Sequence, residues 1–191
     1  MPRSDGELMV AFQEGDQDAF ATLYDRHGRA LVNFFYKMCY DRALAEDLMQ
    51  DTFLKLLRAR GKYRPEASFK TFLYTVAKNL WIDRHRSQKA APKTVSAEVR
   101  AQEDGATLGD LLEANAESPV ARLADREAAD LVRTALLGLP EAQRIVFVMA
   151  EAQGLRYREI SDILGIPVGT VKSRMNAAVT QLRGMLGRVL K

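Results

Sequence analysis

The sequence predicts an all-α protein: two small helical domains joined by a flexible acidic linker, the second containing a helix-turn-helix. Three observations carry this. Apolar residues recur every three to four positions through most of the 191 residues, the period of amphipathic helices. Alternating β-branched runs and hairpin dipeptides do not occur, which leaves no strand signal. The stretch 88–126 is rich in Ala, Ser, acids and the breakers Pro92, Gly105 and Pro119, as a linker should be.

Helices are predicted at 4–14, 16–40, 42–60, 68–87, 127–138, 140–153, 156–164 and 168–187, with one short helix near 108–115 inside the linker. The expected units are therefore 1–87, a linker over 88–126, and 127–191. In helix 42–60, Ala45, Leu48, Met49, Thr52, Phe53, Leu56 and Leu57 form the buried side. In helix 68–87 the core stripe is Phe69, Phe72, Leu73, Val76, Ala77 and Leu80.

Composition narrows the class. With 47% hydrophobic and 28% charged residues and a mean hydropathy of −0.22, the chain reads as a soluble globular protein. No apolar run reaches the roughly 18 residues of a membrane span, and the start MPRSDGELMV has no signal-peptide core. The single cysteine, Cys39, can form neither an internal disulfide nor a cysteine-based metal site. A cytoplasmic protein without metal or other cofactor is expected.

Net charge is only +3, but it is unevenly placed. Residues 1–51 sum to −5, 52–89 to +8, 90–139 to −4 and 140–191 to +4. No acid follows Asp162, while Lys172, Arg174, Arg183, Arg188 and Lys191 do. Two basic blocks flanking an acidic one point to two polyanion-binding surfaces, although either block alone would be an ordinary solvated face.

The segment RYREISDILGIPVGTVKSRMNAAVTQLR (156–183) reads as the helix-turn-helix. Ile160, Ile163 and Leu164 face inward, Gly165 permits the turn, Pro167 breaks the first helix, and the second helix starts near Val168. Val171, Met175, Val179 and Leu182 form its packed stripe. Thr170, Lys172, Ser173, Arg174 and Asn176 lie off that stripe near the N-terminal half, where such a helix enters the major groove. An αα-corner with a solvated face is the plain alternative.

Two further faces stand out. On helix 68–87, Lys70, Tyr74, Lys78, Trp81 and His85 share one side, and interleaved rings and cations suit single-stranded nucleic acid. Packing of Tyr74 and Trp81 on neighbouring helices is the competing reading. On helix 42–60, Leu54 projects from a mainly acidic face made of Glu46, Asp47, Gln50, Asp51, Lys55 and Arg58, a pattern resembling a protein docking spot. A single exposed Leu is also ordinary.

Together these residues resemble the extracytoplasmic-function sigma factors of bacterial RNA polymerase. DAFATLYDRHGRALVNFFYKMCYDRALAEDLMQDTFLKLLRARGKYRPEASFKTFLYTVAKNLWIDRHR resembles their region 2. LPEAQRIVFVMAEAQGLRYREISDILGIPVGTVKSRMNAAVTQLRGML resembles their region 4, with no region 3 domain between. The pair AEDLMQDTFLKLL and YREISDILGIPVGTVKSR is the specific part.

The resemblance implies roles. Asp47, Gln50 and Asp51, with Leu54 at their centre, match positions that dock on the clamp helices of core RNA polymerase, and region 4 would meet the flap. Tyr63, Ser68 and Asn79 match the loop and helix that hold a flipped base of the melted −10 element. Lys172, Ser173, Arg174 and Asn176 match positions reading the −35 element as duplex. An anti-sigma factor is implied as a further partner, and the acidic linker would thread a basic channel of polymerase. Ala177 and Ala178 stand where the family often has more basic residues, and Phe72 where Trp is frequent.

Two rival classes fare worse. His27 and His85 are the only histidines, and their i, i+2 partners Asp25 and Asp83 do not face them on a helix. No phosphate loop or nucleophile elbow is present, so an enzyme is not expected. A dimeric regulator would usually carry an α/β sensory domain, and the N-terminal half has no strands.

Overall fold

A computed structural model describes residues 2–65, 68–90 and 119–187, with side chains over 2–65, 68–86 and 127–187. The expected helix near 108–115 and most of the expected linker lie outside these residues. All regular elements among those described are helical: α1 (Asp5–Gln13), α2 (Gln17–Cys39), α3 (Arg42–Arg58), a single 3-10 turn (Arg60–Lys62), α4 (Phe69–Ala90), α5 (Pro119–Leu137), α6 (Glu141–Phe147), α7 (Tyr157–Leu164) and α8 (Val168–Leu186).

Local chemistry sets the helix starts. Ser4 and Glu7 form a reciprocal capping box on α1, Ser4 N–H donating to Glu7 Oε2 at 2.7 Å and Glu7 N–H to Ser4 Oγ at 3.3 Å. Asp16 Oδ1 accepts from Ala19 N–H and Asp41 Oδ1 from Leu44 N–H, both at 3.0 Å. These carboxylates satisfy amides that the first turn leaves without partners.

The N-terminal half is a four-helix arrangement in which α2 packs on α1 and α3, and α3 packs on α4. Leu23, Leu31, Phe34, Phe35, Leu48, Leu56, Leu73 and Ala77 are its fully buried centre. Thr52 is the one buried polar side chain of α3, and its hydroxyl donates to Leu48 O at 2.7 Å. Leu57 was expected inside and is instead 42% exposed. It lies one turn on from Leu54, so the same face carries both.

In the C-terminal half, α8 packs on α5, α6 and α7. The helix expected over 127–138 begins earlier, at Pro119. The helix expected over 140–153 is α-helical only to Phe147, and Val148–Ala152 continues as a π-helical turn. On α8 the buried stripe is Val171, Met175, Ala178 and Leu182. Ala178 takes the place expected for Val179, which is half-buried.

The halves are not separate bodies. α4 packs on α7, and α2 packs on the π turn. One apolar cluster runs from Leu8, Leu31 and Phe34 through Leu73 and Trp81 to Val148, Met149, Ile163 and Met175. A smaller cluster of Ala135, Leu136, Leu139, Ala178 and Leu182 ties α5 to α8. Among the described residues no helix is long and apolar enough to cross a membrane.

Candidate nucleic-acid and protein interfaces

The helix-turn-helix has the expected local geometry. Gly165 ends α7 with φ +66° and ψ +38°, the left-handed conformation in which glycine is least strained. Its N–H donates to Ser161 O at 2.9 Å. The Ser161 hydroxyl donates across the turn to Ile166 O at 2.6 Å, and Pro167 leads into α8. With Val171 fully buried as the anchor, Lys172, Ser173 and Asn176 are exposed, and Thr170 and Arg174 half-buried. Ser173 Oγ donates to Thr170 O at 3.0 Å.

On α3, Asp47, Gln50, Asp51 and Leu54 are all exposed, Leu54 at 53%. Their spacing of three and four puts them in one stripe, extended by Leu57. Leu54 and Leu57 thus form an exposed apolar pair one turn beyond the Asp47 and Asp51 carboxylates, with Arg42–Glu46 (2.9 Å) and Lys55–Asp83 (3.8 Å) ion pairs on the same helix.

The α4 surface differs from the expectation. Ser68 and Asn79 are exposed and Lys70 and Lys78 half-buried, but Tyr63, Tyr74 and Trp81 are 2%, 1% and 4% exposed. Rings expected to be open for stacking are covered. Tyr63 packs within its own half, against Phe72 (5.5 Å between centroids) and Phe69 (6.3 Å). Gln13 Nε2 donates to Tyr63 O at 3.2 Å, which holds that loop to α1.

Tyr74 and Trp81 meet both halves: the Tyr74 ring packs edge-on against Phe34 of α2 with centroids 5.5 Å apart, and both side chains hydrogen-bond to the other half. Tyr74 Oη donates to Gln153 Oε1 at 2.6 Å, and Lys70 Nζ donates to Gln153 O at 2.7 Å. Trp81 Nε1 donates to Glu141 Oε1 at 2.8 Å. His85 stacks on Trp81 with centroids 5.3 Å apart and reaches Glu141 Oε2 at 3.6 Å. Burial pushes the Tyr74 hydroxyl well above the ordinary phenol range. It also lowers the Lys78 ammonium below its ordinary value, partly opposed by the Asp83 carboxylate.

Beside these contacts lies a cavity of about 350 Å³ lined by Lys78, Ile82, His85, Arg86, Glu141 and Arg174, among others. The structure therefore brings the basic side of α4 and one recognition-helix residue, Arg174, to a single cleft. Sequence reasoning missed Gln153 and Glu141, which sit 79 and 60 positions from their partners. No local signal marks them.

The Sigma-70 region 2 family model matches residues 23–91 and the Sigma-70 region 4 model residues 129–182. The chain is 33% identical to the ECF RNA polymerase sigma factor SigW of Bacillus subtilis, over 91% of this chain and 92% of that one. It is 34% identical to the ECF sigma factor SigM of Mycobacterium tuberculosis (97% and 86%) and 33% identical to the RNA polymerase sigma factor CarQ of Myxococcus xanthus (95% and 97%). In fold it is similar to CnrH, solved in complex with the cytosolic domain of CnrY, with a TM-score of 0.71, 23% identity and coverage of 97% and 99%. It is also similar in fold to RpoE from Bartonella quintana, solved with the anti-sigma factor NepR, with a TM-score of 0.64, 22% identity and coverage of 88% and 96%. From α3 to the helix-turn-helix, at more than 30% identity along nearly its whole length, the chain belongs to the extracytoplasmic-function family of RNA polymerase sigma factors.

Proposed function

We propose that this sigma factor joins core RNA polymerase through the α3 stripe, reads the −35 element as duplex with α8, and holds the −10 element as melted strand on the 63–81 surface. The observation that carries the reading is the division of labour on one chain. An exposed acidic-apolar stripe (Asp47, Gln50, Asp51, Leu54) lies on one helix and an exposed Lys172–Ser173–Asn176 set on the recognition helix of another half. The first suits a basic protein partner, since complementary charge steers and orients docking. The second suits phosphate and base edges. Ser68 and Asn79 supply exposed polar groups for an unstacked base, and Lys70, Tyr74, Lys78 and Trp81 on α4 complete the proposed set.

In this reading the chain is a binding factor with no chemical step of its own, works in the cytoplasm, and needs no cofactor. An anti-sigma factor is a further partner, supported by the NepR complex of a fold neighbour. Region 2 closes with α4, which runs to Ala90, and region 4 follows from α5, which begins at Pro119, so the linker is shorter at both ends than the expected 88–126.

Mixing the chain with core polymerase and a genomic promoter library tests this. Run-off transcripts should start at a defined set of sites, with thymines near −10 reactive to permanganate. Tight dimeric binding of the free chain to palindromic duplex, without polymerase, would instead identify a conventional regulator.

A further inference from the structure

We infer that Gln13, the last residue of α1, is a positioning residue for −10 selection: its amide clamps the loop after α3 from which the base-binding groups are presented. The inference rests on the reading of the 63–81 surface as the −10 site. Gln13 acts through that loop and not on DNA itself.

Gln13 Nε2 donates to two backbone carbonyls at once, Arg60 O at 2.6 Å and Tyr63 O at 3.2 Å. One side chain therefore holds the loop at two points three residues apart, on either side of the 3-10 turn. Arg64 Nη1 also reaches Gly61 O at 3.2 Å and Tyr63 O at 3.4 Å, but those contacts lie within the loop and travel with it. The Gln13 contacts run to a different element, 47 and 50 positions away.

The helix that carries Gln13 is itself a firm anchor. Arg26 Nη1 on α2 donates to Arg3 O and Asp5 Oδ1, both at 2.9 Å, and Asp5 Oδ2 lies 2.7 Å from His27 Nε2. At the other end Phe12 is stacked on Phe20 of α2, with centroids 4.7 Å apart. The Arg60 guanidinium lies 5.6 Å over the Phe12 ring, so the loop meets α1 by side chain as well. A Cβ on Gly6 would come within 3.3 Å of Tyr63 Oη, which puts α1 against the Tyr63 hydroxyl while Gln13 takes the Tyr63 carbonyl. The exposed residues that follow, Arg64, Pro65 and Ser68, thus start from an immobile root.

A loop ordered before its ligand arrives loses no binding free energy to ordering. It also selects better, because a loose loop can repack around a wrong base and recover part of the lost contact.

The experiment uses each sigma variant in complex with core polymerase, and its probe is a bubble template with a randomised −10 strand. Gln13→Glu keeps the shape and puts an acceptor where the donor was, Gln13→Ala removes the group, and Gln13→Lys restores a donor. Sequencing the templates kept in heparin-resistant complexes gives the ratio of the preferred base to the next at each position. Circular dichroism and urea titration follow folding, and pull-down follows core binding.

The positioning role predicts that Gln13→Glu and Gln13→Ala lose at least about five-fold of the base preference at one or more −10 positions. Core binding should stay at the wild-type level, and Gln13→Lys should recover most of the preference. A lower urea midpoint with preference intact is the mark of a merely structural role and overturns the inference. Failure of Gln13→Lys to restore preference overturns it too, as does loss of helicity in both the Glu and Ala variants, which would make Gln13 a folding residue. Ser68→Ala and Asn79→Ala, run alongside, separate the two levels of failure. Lost preference in those two with wild-type preference in Gln13→Glu overturns the Gln13 inference alone. Wild-type preference in every variant overturns the 63–81 reading, and the inference with it.

Discussion

Trp81 and Glu141 are joined across the two halves of the molecule: the indole N–H donates to Oε1 at 2.8 Å while His85 lies stacked on the ring. Because the chain has a single tryptophan, this pair makes the interface optically visible. With Trp81 supplied as 5-hydroxytryptophan, excited beyond the absorption of the polymerase's own tryptophans, adding core polymerase should move its emission to longer wavelength and raise its quenching by acrylamide. An unchanged spectrum in an active complex would mean that Trp81 stays covered there.

Asp51 sits in the exposed α3 stripe. Asp51→Arg should weaken binding to core polymerase by ten-fold or more, about 1.4 kcal/mol, with helicity and melting temperature close to wild type. Pull-down with purified core measures the first and calorimetry the second.

Tyr63 and Asn79 separate a folding role from a DNA role. Tyr63 is buried among Phe69 and Phe72, so Tyr63→Ala should cost about 3–5 kcal/mol of stability, as truncation of a large buried aromatic does. Asn79 is exposed. Asn79→Ala should therefore leave the urea midpoint unchanged and reduce permanganate reactivity at the −10 thymines, while −35 duplex binding by the polymerase complex persists.

Gly165 sets the turn of the helix-turn-helix at φ +66°. A Cβ there would meet nothing within 4 Å, so the penalty of Gly165→Ala comes from the backbone alone, about 1–2 kcal/mol. Thermal denaturation should show that loss, and −35 affinity should fall less than in Lys172→Ala.

Asp5 gives the chain a defined acid sensitivity. Burial raises its carboxyl pKa, but the Arg26 hydrogen bond and the nearby His27 and Arg26 charges outweigh this and hold it below the ordinary aspartate value. The Asp5 carboxylate lies 2.9 Å from Arg26 Nη1 and 2.7 Å from His27 Nε2. A depressed folded-state pKa stabilises above the unfolded value and loses that contribution as pH falls through it toward the folded value. The stability gap between wild type and Asp5→Asn should be fully present near pH 7 and close below about pH 4, as urea titrations at the two pH values would show.

Much of this was readable in the sequence because it is local. Gly165, Pro167 and the Val171–Met175–Leu182 spacing specify a turn and a buried stripe within some 20 residues, and the structure has both. The exposed positions of Asp51 and Leu54 follow from period alone. Periodicity could not say what covers the second face of α4. Tyr74 and Trp81 lie off the main stripe, and whether they meet solvent or protein depends on Gln153 and Glu141, far along the chain. Ala178 replaced Val179 inside for a related reason: α8 packs on α5 as well as α6 and α7, which widens its buried arc. The break in helix 140–153 is a π turn, and composition carries no mark of it.

The apolar cluster shared by the halves has a consequence for how the protein survives between synthesis and use. Val148 and Met149, on the turn that packs against α2, are fully buried, as are Ile160, Ile163 and Leu73 near the α4–α7 contact. Parting the halves turns part of that interior into bare hydrocarbon, the kind of surface that drives self-association. A chain made in excess of its polymerase thus keeps its solubility by staying folded on itself. Variants that loosen the contact should be lost first to aggregation and proteolysis, whatever their intrinsic affinity for a promoter.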